Sequence, residues 1–271
     1  MNTGAATPAV KIVGVRFLNA RPLLAGLEAG IPAPFPYSFE TAEPSVCADR
    51  LAGLEAGAGL VPVAALPLMP EVRAVPSLGV AARHEVRSVL LISRVPLERV
   101  RSIAAHAASR TSIVLARLLL AERWGSHPRV ISRQPPLEAM LEGVDAVVMI
   151  GDPALAVHGR TDFLEVDLAG AWAEWSGLPF VFAIWGVGPM APVGIETLLE
   201  RSLDFGEGRW SELVPIWAQA HGVGLDEARE YLENTLTFRL GDPERAGMEE
   251  FLRRAAGAGL LPRRDEVWHA V

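Results

Sequence analysis

The segment Ser109-Arg110-Thr111-Ser112 stands between the apolar run Ile103 to Ala108 and the helix-like stretch IVLARLLLAERW. A strand that ends in hydroxyl-rich residues and then turns into a helix leaves backbone N–H groups without partners, at the positive end of the helix dipole. With its hydroxyls and the Arg110 guanidinium added, the turn has the make-up of a carboxylate or phosphate receptor. Polar residues mark two other strand ends. Asn19 follows the first strand in FLNARP, and Gly151-Asp152-Pro153 closes DAVVMIG. In open α/β sheets ligands bind beyond the carboxyl ends of strands, so the three segments can converge on one site. Each also has a local role open to it: Asn19 as a partner of its own turn, Ser109 as an N-cap, Asp152 as the cap of a helix opening at Pro153.

The usual routes to cofactor and nucleophile chemistry are not supported. The six histidines show no His-x-x-x-His spacing and Cys47 is the single cysteine, so neither a zinc site nor a disulfide is expected. Cys47 falls on the apolar helical spacing Cys47, Leu51, Leu54 and reads as a buried structural thiol. No Gly-x-Gly-x-x-Gly follows the first strand, and neither a Gly-Lys-Ser/Thr loop nor a Gly-x-Ser-x-Gly elbow occurs. No cofactor is therefore expected.

These residues need elements to carry them. Strands are expected at Lys11 to Phe17, Arg87 to Ser93, Ile103 to Ala108, Arg129 to Ser132 and Asp145 to Gly151, and the character of the chain changes after FVFAIWGVG, Phe180 to Gly188. Helices are expected at Pro22 to Glu28, at Ser45 to Ala56 with Ser45 as N-cap, at Thr111 to Trp124 and at Pro136 to Glu142. Their alternation implies an α/β fold with a mainly parallel sheet. From Pro192 onward the pattern is helical, at Ile195 to Ser202, Trp210 to Ala220, Asp226 to Asn234 and Pro243 to Ala256.

The 271 residues suffice for two lobes, and the formal charge of −7 with no basic cluster argues against nucleic acid as a partner. Apolar stretches are too short and too broken for membrane insertion. The opening MNTGAATPAVKIVGVRFLNARP lacks the pattern of a secretory signal, which makes the cytoplasm the expected compartment.

The segments VGVRFLNARPLLAGLE, RSVLLISRVPLERV, SRTSIVLARLLL, LEAMLEGVDAVVMIGDPAL and AWAEWSGLPFVFAIW resemble the menaquinone-biosynthesis family whose members include chorismate dehydratase, the first enzyme of the futalosine route. GMEEFLRRAAGAGLLP is similar to the family's C-terminal helix. The resemblance implies a two-lobed fold like that of type II periplasmic solute-binding proteins. Lobe one would comprise residues 1–93 and 185–271, including the helical C-terminal segment, and lobe two residues 94–184, with crossovers near Arg94 and Trp185. It further implies dehydration of chorismate to 3-[(1-carboxyvinyl)oxy]benzoate in a cleft between the lobes. Asn19 and Ser88 would face the cleft from one side, and Ser109, Arg110, Thr111, Ser112, Gly151 and Asp152 from the other.

On that basis the substrate-binding candidates are Ser88, Ser109, Arg110, Thr111, Ser112 and Gly151, and the catalytic candidates are Asn19 and Asp152. Asn19 would orient the C4 hydroxyl or the enolpyruvyl arm. Either Asp152 or the substrate's own enolpyruvyl carboxylate would accept the proton. The expected partner is a small molecule, chorismate, and a homodimer is left open. Two departures stand out. Gly57 to Ala65 reads GAGLVPVAA without the acidic residue that relatives carry at each end, and Arg16 stands where they often have a small polar residue. Two other functions stay open: a 1,4-dihydroxy-6-naphthoate synthase-like enzyme of the same pathway, and a non-catalytic solute-binding protein for a small carboxylate.

Overall fold

A computed structural model describes residues 8–106 and 109–264. Of the expected strand Ile103 to Ala108, Ala107 and Ala108 lie outside the described residues. The chain opens with β1 (Val10–Val15), α1 (Arg21–Glu28), β2 (Tyr37–Ala42), α2 (Pro44–Ala52), β3 (Ala58–Pro62) and β4 (Arg73–Ala82). A second group follows: β5 (Val89–Ser93), β6 (Ser102–Ala105), α3 (Arg110–Trp124), β7 (Arg129–Ser132), α4 (Leu137–Leu141), β8 (Ala146–Ile150), α5 (Asp152–Val157), β9 (Leu164–Asp167) and α6 (Leu168–Ser176). The remainder is β10 (Phe180–Val187), α7 (Ile195–Glu207), α8 (Trp210–His221), α9 (Leu225–Arg229), β11 (Leu236–Arg239) and α10 (Asp242–Gly257).

The strands form two sheets, one in the order β11-β4-β10-β3-β1-β2 and one in the order β7-β6-β8-β5-β9. β1 runs parallel to β2 and β3, and β6 runs parallel to β7 and β8. β10 is antiparallel to both its neighbours, as β5 is to its own, and β11 is antiparallel to β4. Both sheets are therefore mixed, which corrects the expectation of a mainly parallel sheet. The reason lies in how β5 and β10 arrive. Each enters from the other sheet and not through a helix laid back over its own, so the connection that enforces parallel pairing is absent.

The chain passes between the sheets at residues 83–88 and 177–179. The boundaries expected at residues 93/94 and 184/185 move accordingly: all of β5 pairs in the five-stranded sheet, and β10 pairs through Trp185 in the six-stranded one. At the first crossover Arg87 adopts a positive φ of 63°. Asp167 holds it there, its Oδ2 accepting the N–H groups of Val86 (2.9 Å) and Arg87 (2.6 Å).

The helical tail packs on the six-stranded sheet, with α7 against α1 and α10 against β10. The α1–α7 contact is close because Gly26 has no side chain; a Cβ there would lie 2.5 Å from the Cα of Ser202. Where α6, β10 and α10 meet, Trp172, Phe180 and Phe251 pack edge to face at 5.0 to 6.1 Å between centroids. In α2 the helix begins at Pro44 with Glu43 at the N-cap, so Ser45 sits one residue inside it. Cys47 is fully buried beside the Gly14 carbonyl, and burial pushes its thiol up to about 12.

Candidate active site

The carboxyl ends of β1, β3 and β8, the N-terminus of α3 and the middle of β10 converge on a narrow, open-mouthed cavity of about 60 Å³. Its walls are largely apolar, with Val15, Phe17, Leu60, Val89, Ile150 and Phe182 among them. Asn19, Ser109, Arg110, Thr111, Ser112 and Gly151 also line it, so six expected site residues from three separated segments share one space.

Ser109 occupies the N-cap position of α3, but its hydroxyl does not cap the helix. It is buried, 2% exposed, and its Oγ has no hydrogen-bond partner among the described residues. A buried hydroxyl left unpaired is costly, and this one stands at a cavity where a ligand can satisfy it. Ser112 lines the same wall, in the first turn of α3. Thr111 is placed differently. Its Oγ1 donates to the Phe182 carbonyl (3.1 Å) and accepts the Ala64 N–H (3.1 Å), which uses its one hydrogen on the protein. Arg110 brings cationic charge to the wall but is paired with Asp49 of α2 at 2.6 Å. Both side chains are substantially exposed, so the pair contributes little to stability.

Asn19 sits in a short 3-10 turn, Leu18–Ala20, between β1 and α1. Two bonds from outside fix this turn and its surroundings. Asp152 Oδ1 accepts the N–H of Leu18 (3.0 Å), and Asp152 Oδ2 meets His221 Nδ1 of α8 (2.7 Å). The Asp152 carboxylate is thus turned to protein partners, and Asp152 is not among the residues lining the cavity. Gly151 adopts φ 64°, ψ −148°, and a Cβ there would lie 2.8 Å from the Phe17 ring. Only glycine lets that ring lie flat on the strand end.

Ser88 is completely buried outside the cavity wall. Its carbonyl accepts the Gly151 N–H (2.8 Å), and its Oγ accepts the hydroxyl hydrogen of Tyr231 (2.5 Å). Burial, opposed by the hydrogen bond with Ser88, raises the Tyr231 pKa and keeps the phenol protonated. Tyr231 and His221 are the partners of Ser88 and Asp152 behind the cavity wall, and the linear pattern does not reveal them. The one hint is that Tyr231 is one of two tyrosines in the chain and lies in an otherwise helical, polar stretch. Among the described residues no group of three His, Cys, Asp or Glu side chains could hold a metal ion, and no helix is long and apolar enough to cross a membrane.

Comparison with known proteins places this arrangement. The chain is 32% identical over 206 residues to the chorismate dehydratase of Thermus thermophilus, covering 69% of this chain and 74% of that one. It is 25% identical over 187 residues to the chorismate dehydratase of Campylobacter jejuni, covering 68% and 69%. In structure it resembles protein AF1704 of Archaeoglobus fulgidus (TM-score 0.78, 13% identity, 93% of this chain and 98% of that one). It also resembles the periplasmic aliphatic sulphonate-binding protein SsuA of Escherichia coli (TM-score 0.61, 12% identity, 95% and 90%), and the fold is that of periplasmic binding proteins. The family model described as menaquinone biosynthesis matches residues 10–257, and the chain belongs to that family.

Proposed function

We propose that the protein dehydrates chorismate to 3-[(1-carboxyvinyl)oxy]benzoate, the first step of futalosine-route menaquinone biosynthesis. The observation that carries this reading is the cavity itself: apolar walls, a Ser109 hydroxyl at a helix N-terminus with no partner among the described residues, and Asn19 on the same cavity, in a chain whose relatives are named chorismate dehydratases. Apolar walls suit a ring that becomes aromatic. The first-turn N–H groups of α3, with Ser109 and Ser112, suit a substrate carboxylate.

In the reaction the C3–H bond and the C4–O bond break, the C3–H electron pair enters the ring, and the proton leaves with the C4 hydroxyl as water. Aromatisation supplies the driving force, so orientation and electrostatics are what the protein must add. This reading needs no redox partner and assigns no cofactor. Both Asp152 oxygens are engaged by Leu18 and His221, which favours the substrate's enolpyruvyl carboxylate as proton acceptor, with Asn19 holding the C4 hydroxyl. The two sheets then act as lobes that close on the ligand, bounded at the crossovers of residues 83–88 and 177–179. A cytoplasmic enzyme is part of the same reading.

The test is to mix purified protein with chorismate and follow aromatic absorbance together with loss of the C3 and C4 proton resonances. Stoichiometric conversion is the expected result. Binding without conversion would make the protein a solute binder, and turnover of a cyclic futalosine derivative alone would make it a naphthoate synthase.

A further inference from the structure

We propose that Asp49 is the counter-ion that Arg110 exchanges for a ligand carboxylate, so that Asp49 sets the affinity of the site for carboxylates; the inference rests on the reading above, in which the first turn of α3 receives such a group. Of the described side chains that line the cavity, Arg110 is the one that carries charge, and no Asp or Glu is among them. The first turn of α3 holds no acidic residue, and Ser109 gives it no side-chain cap. A cation at the N-terminus of this 15-residue helix adds to the positive end of the dipole instead of opposing it. Positive charge is thus concentrated at one end of a largely apolar space, which is the setting that favours an anion.

The anion that meets this charge is Asp49 Oδ1, 2.6 Å from Arg110 Nη2. Asp49 does not line the cavity. It stands on α2, which packs on β1 and β3, whereas α3 follows β6 of the other sheet, so the pair joins the two groups of elements. The Asp49 side chain is 64% exposed and that of Arg110 33%. An ion pair so open to water contributes little to stability and is readily given up. Asp49 holds the guanidinium from the solvent side; a ligand carboxylate meets the same guanidinium from within the cavity. There the ligand has further donors, the N–H groups of the first turn of α3 and the buried Ser109 hydroxyl, which has no partner among the described residues. These donors favour the ligand in the exchange, and Asp49 is left facing the water to which it is already exposed. A ligand without a carboxylate has no such exchange to make.

The experiment titrates benzoate, and its neutral amide benzamide, into the wild-type protein, Asp49→Asn, Arg110→Gln and the double variant, with calorimetric detection. Asp49→Asn should bind benzoate roughly two- to fivefold more tightly, the range set by competition with one exposed ion pair, and benzamide as the wild type does. In the Arg110→Gln background the same change should have no effect, because no pair is left to exchange. A gain of equal size in both backgrounds would reduce Asp49 to one more negative charge in the field of the protein and overturn the proposal. So would unchanged benzoate affinity in Asp49→Asn, or an equal gain for benzamide. Benzoate that binds none of the four proteins would count against any carboxylate site at Arg110. Chorismate turnover supplies a second readout: in Asp49→Asn, KM should fall by a like factor with kcat little changed. A fall in kcat with KM unmoved would make the pair a brace of the site and not a competitor for its ligand. Failure of the wild-type protein to dehydrate chorismate, with the benzoate cycle still coupled, would remove the functional reading and leave the exchange standing.

Discussion

The hydroxyl of Thr111 donates to the carbonyl oxygen of Phe182 at 3.1 Å while accepting the N–H of Ala64 at the same distance. Thr111 belongs to α3 of the second group of elements, and both partners belong to the six-stranded sheet or the turn that follows β3. One side chain therefore joins the two halves at the floor of the cavity.

Replacing it separates a structural role from a substrate contact. Thr111→Ala leaves a buried N–H and a buried carbonyl unpaired and should cost about 1–3 kcal/mol in urea unfolding. Thr111→Ser, which keeps the hydroxyl, should recover most of that. A Thr111→Ala protein of undiminished stability but reduced kcat/KM would return the residue to carboxylate binding.

Ser109 should behave in the opposite way. Its hydroxyl is buried and has no partner among the described residues, so Ser109→Ala should leave the melting temperature of the free protein unchanged or raise it. If the hydroxyl donates to a substrate carboxylate, kcat/KM should fall by roughly ten- to a hundredfold, the value of a charge-assisted hydrogen bond of about 1.5–3 kcal/mol. Comparing melting and kinetics in the one variant checks both halves.

Much of this is legible from the sequence because apolar periodicity marks buried strands directly. Arg129 to Ser132 is found as expected, and β1, β8 and α3 are found within two residues of their expected ends. β4 escapes because Pro76 and Gly79 break its pattern. The strand accommodates both by a register shift against β10 between Ile184 and Gly186. β2 escapes because YSFETA lies half-exposed at the edge of its sheet. Polar residues at strand ends are also legible, since turn chemistry is local, and five of them share the cavity with Gly151. What each hydroxyl does is not, because donor direction is set by partners remote in the chain: Ser88 meets Tyr231 across 143 positions and Thr111 meets Phe182 across 71.

A pH effect is expected from α10. Side-chain hydrogen bonds from Arg253 and then Arg254 hold Glu250 at about 2, below the ordinary 4.5, and Arg254 in turn lies 4.0 Å over the Trp175 ring. A carboxylate whose pKa is lowered on folding stabilises the folded state above its unfolded value and loses that contribution as pH falls toward the folded one. The melting temperature should therefore drop between about pH 4.5 and 2, and Glu250→Gln should flatten that part of the profile. The whole effect is modest because the arginines are partly exposed. An identical profile in Glu250→Gln would show that other carboxylates govern acid unfolding.

Asp152 offers the sharpest division between base and brace. As a proton acceptor it would need a free carboxylate, and both Asp152→Asn and Asp152→Ala would then abolish turnover alike. As the brace of the Asn19 turn it needs only an acceptor for the Leu18 N–H at 3.0 Å and a partner for His221 at 2.7 Å. An asparagine supplies both, its carbonyl oxygen facing Leu18 and its NH2 facing an imidazole nitrogen that can accept. Asp152→Asn should therefore retain activity within about tenfold of wild type. Asp152→Ala leaves the Leu18 N–H unpaired, should cost about 1–3 kcal/mol of stability, and should lower kcat more steeply as the turn beneath Asn19 loosens. Parallel measurement of kcat and urea stability in the two variants decides the matter. Complete loss of turnover in a stable Asp152→Asn protein would make the carboxylate charge itself part of the chemistry.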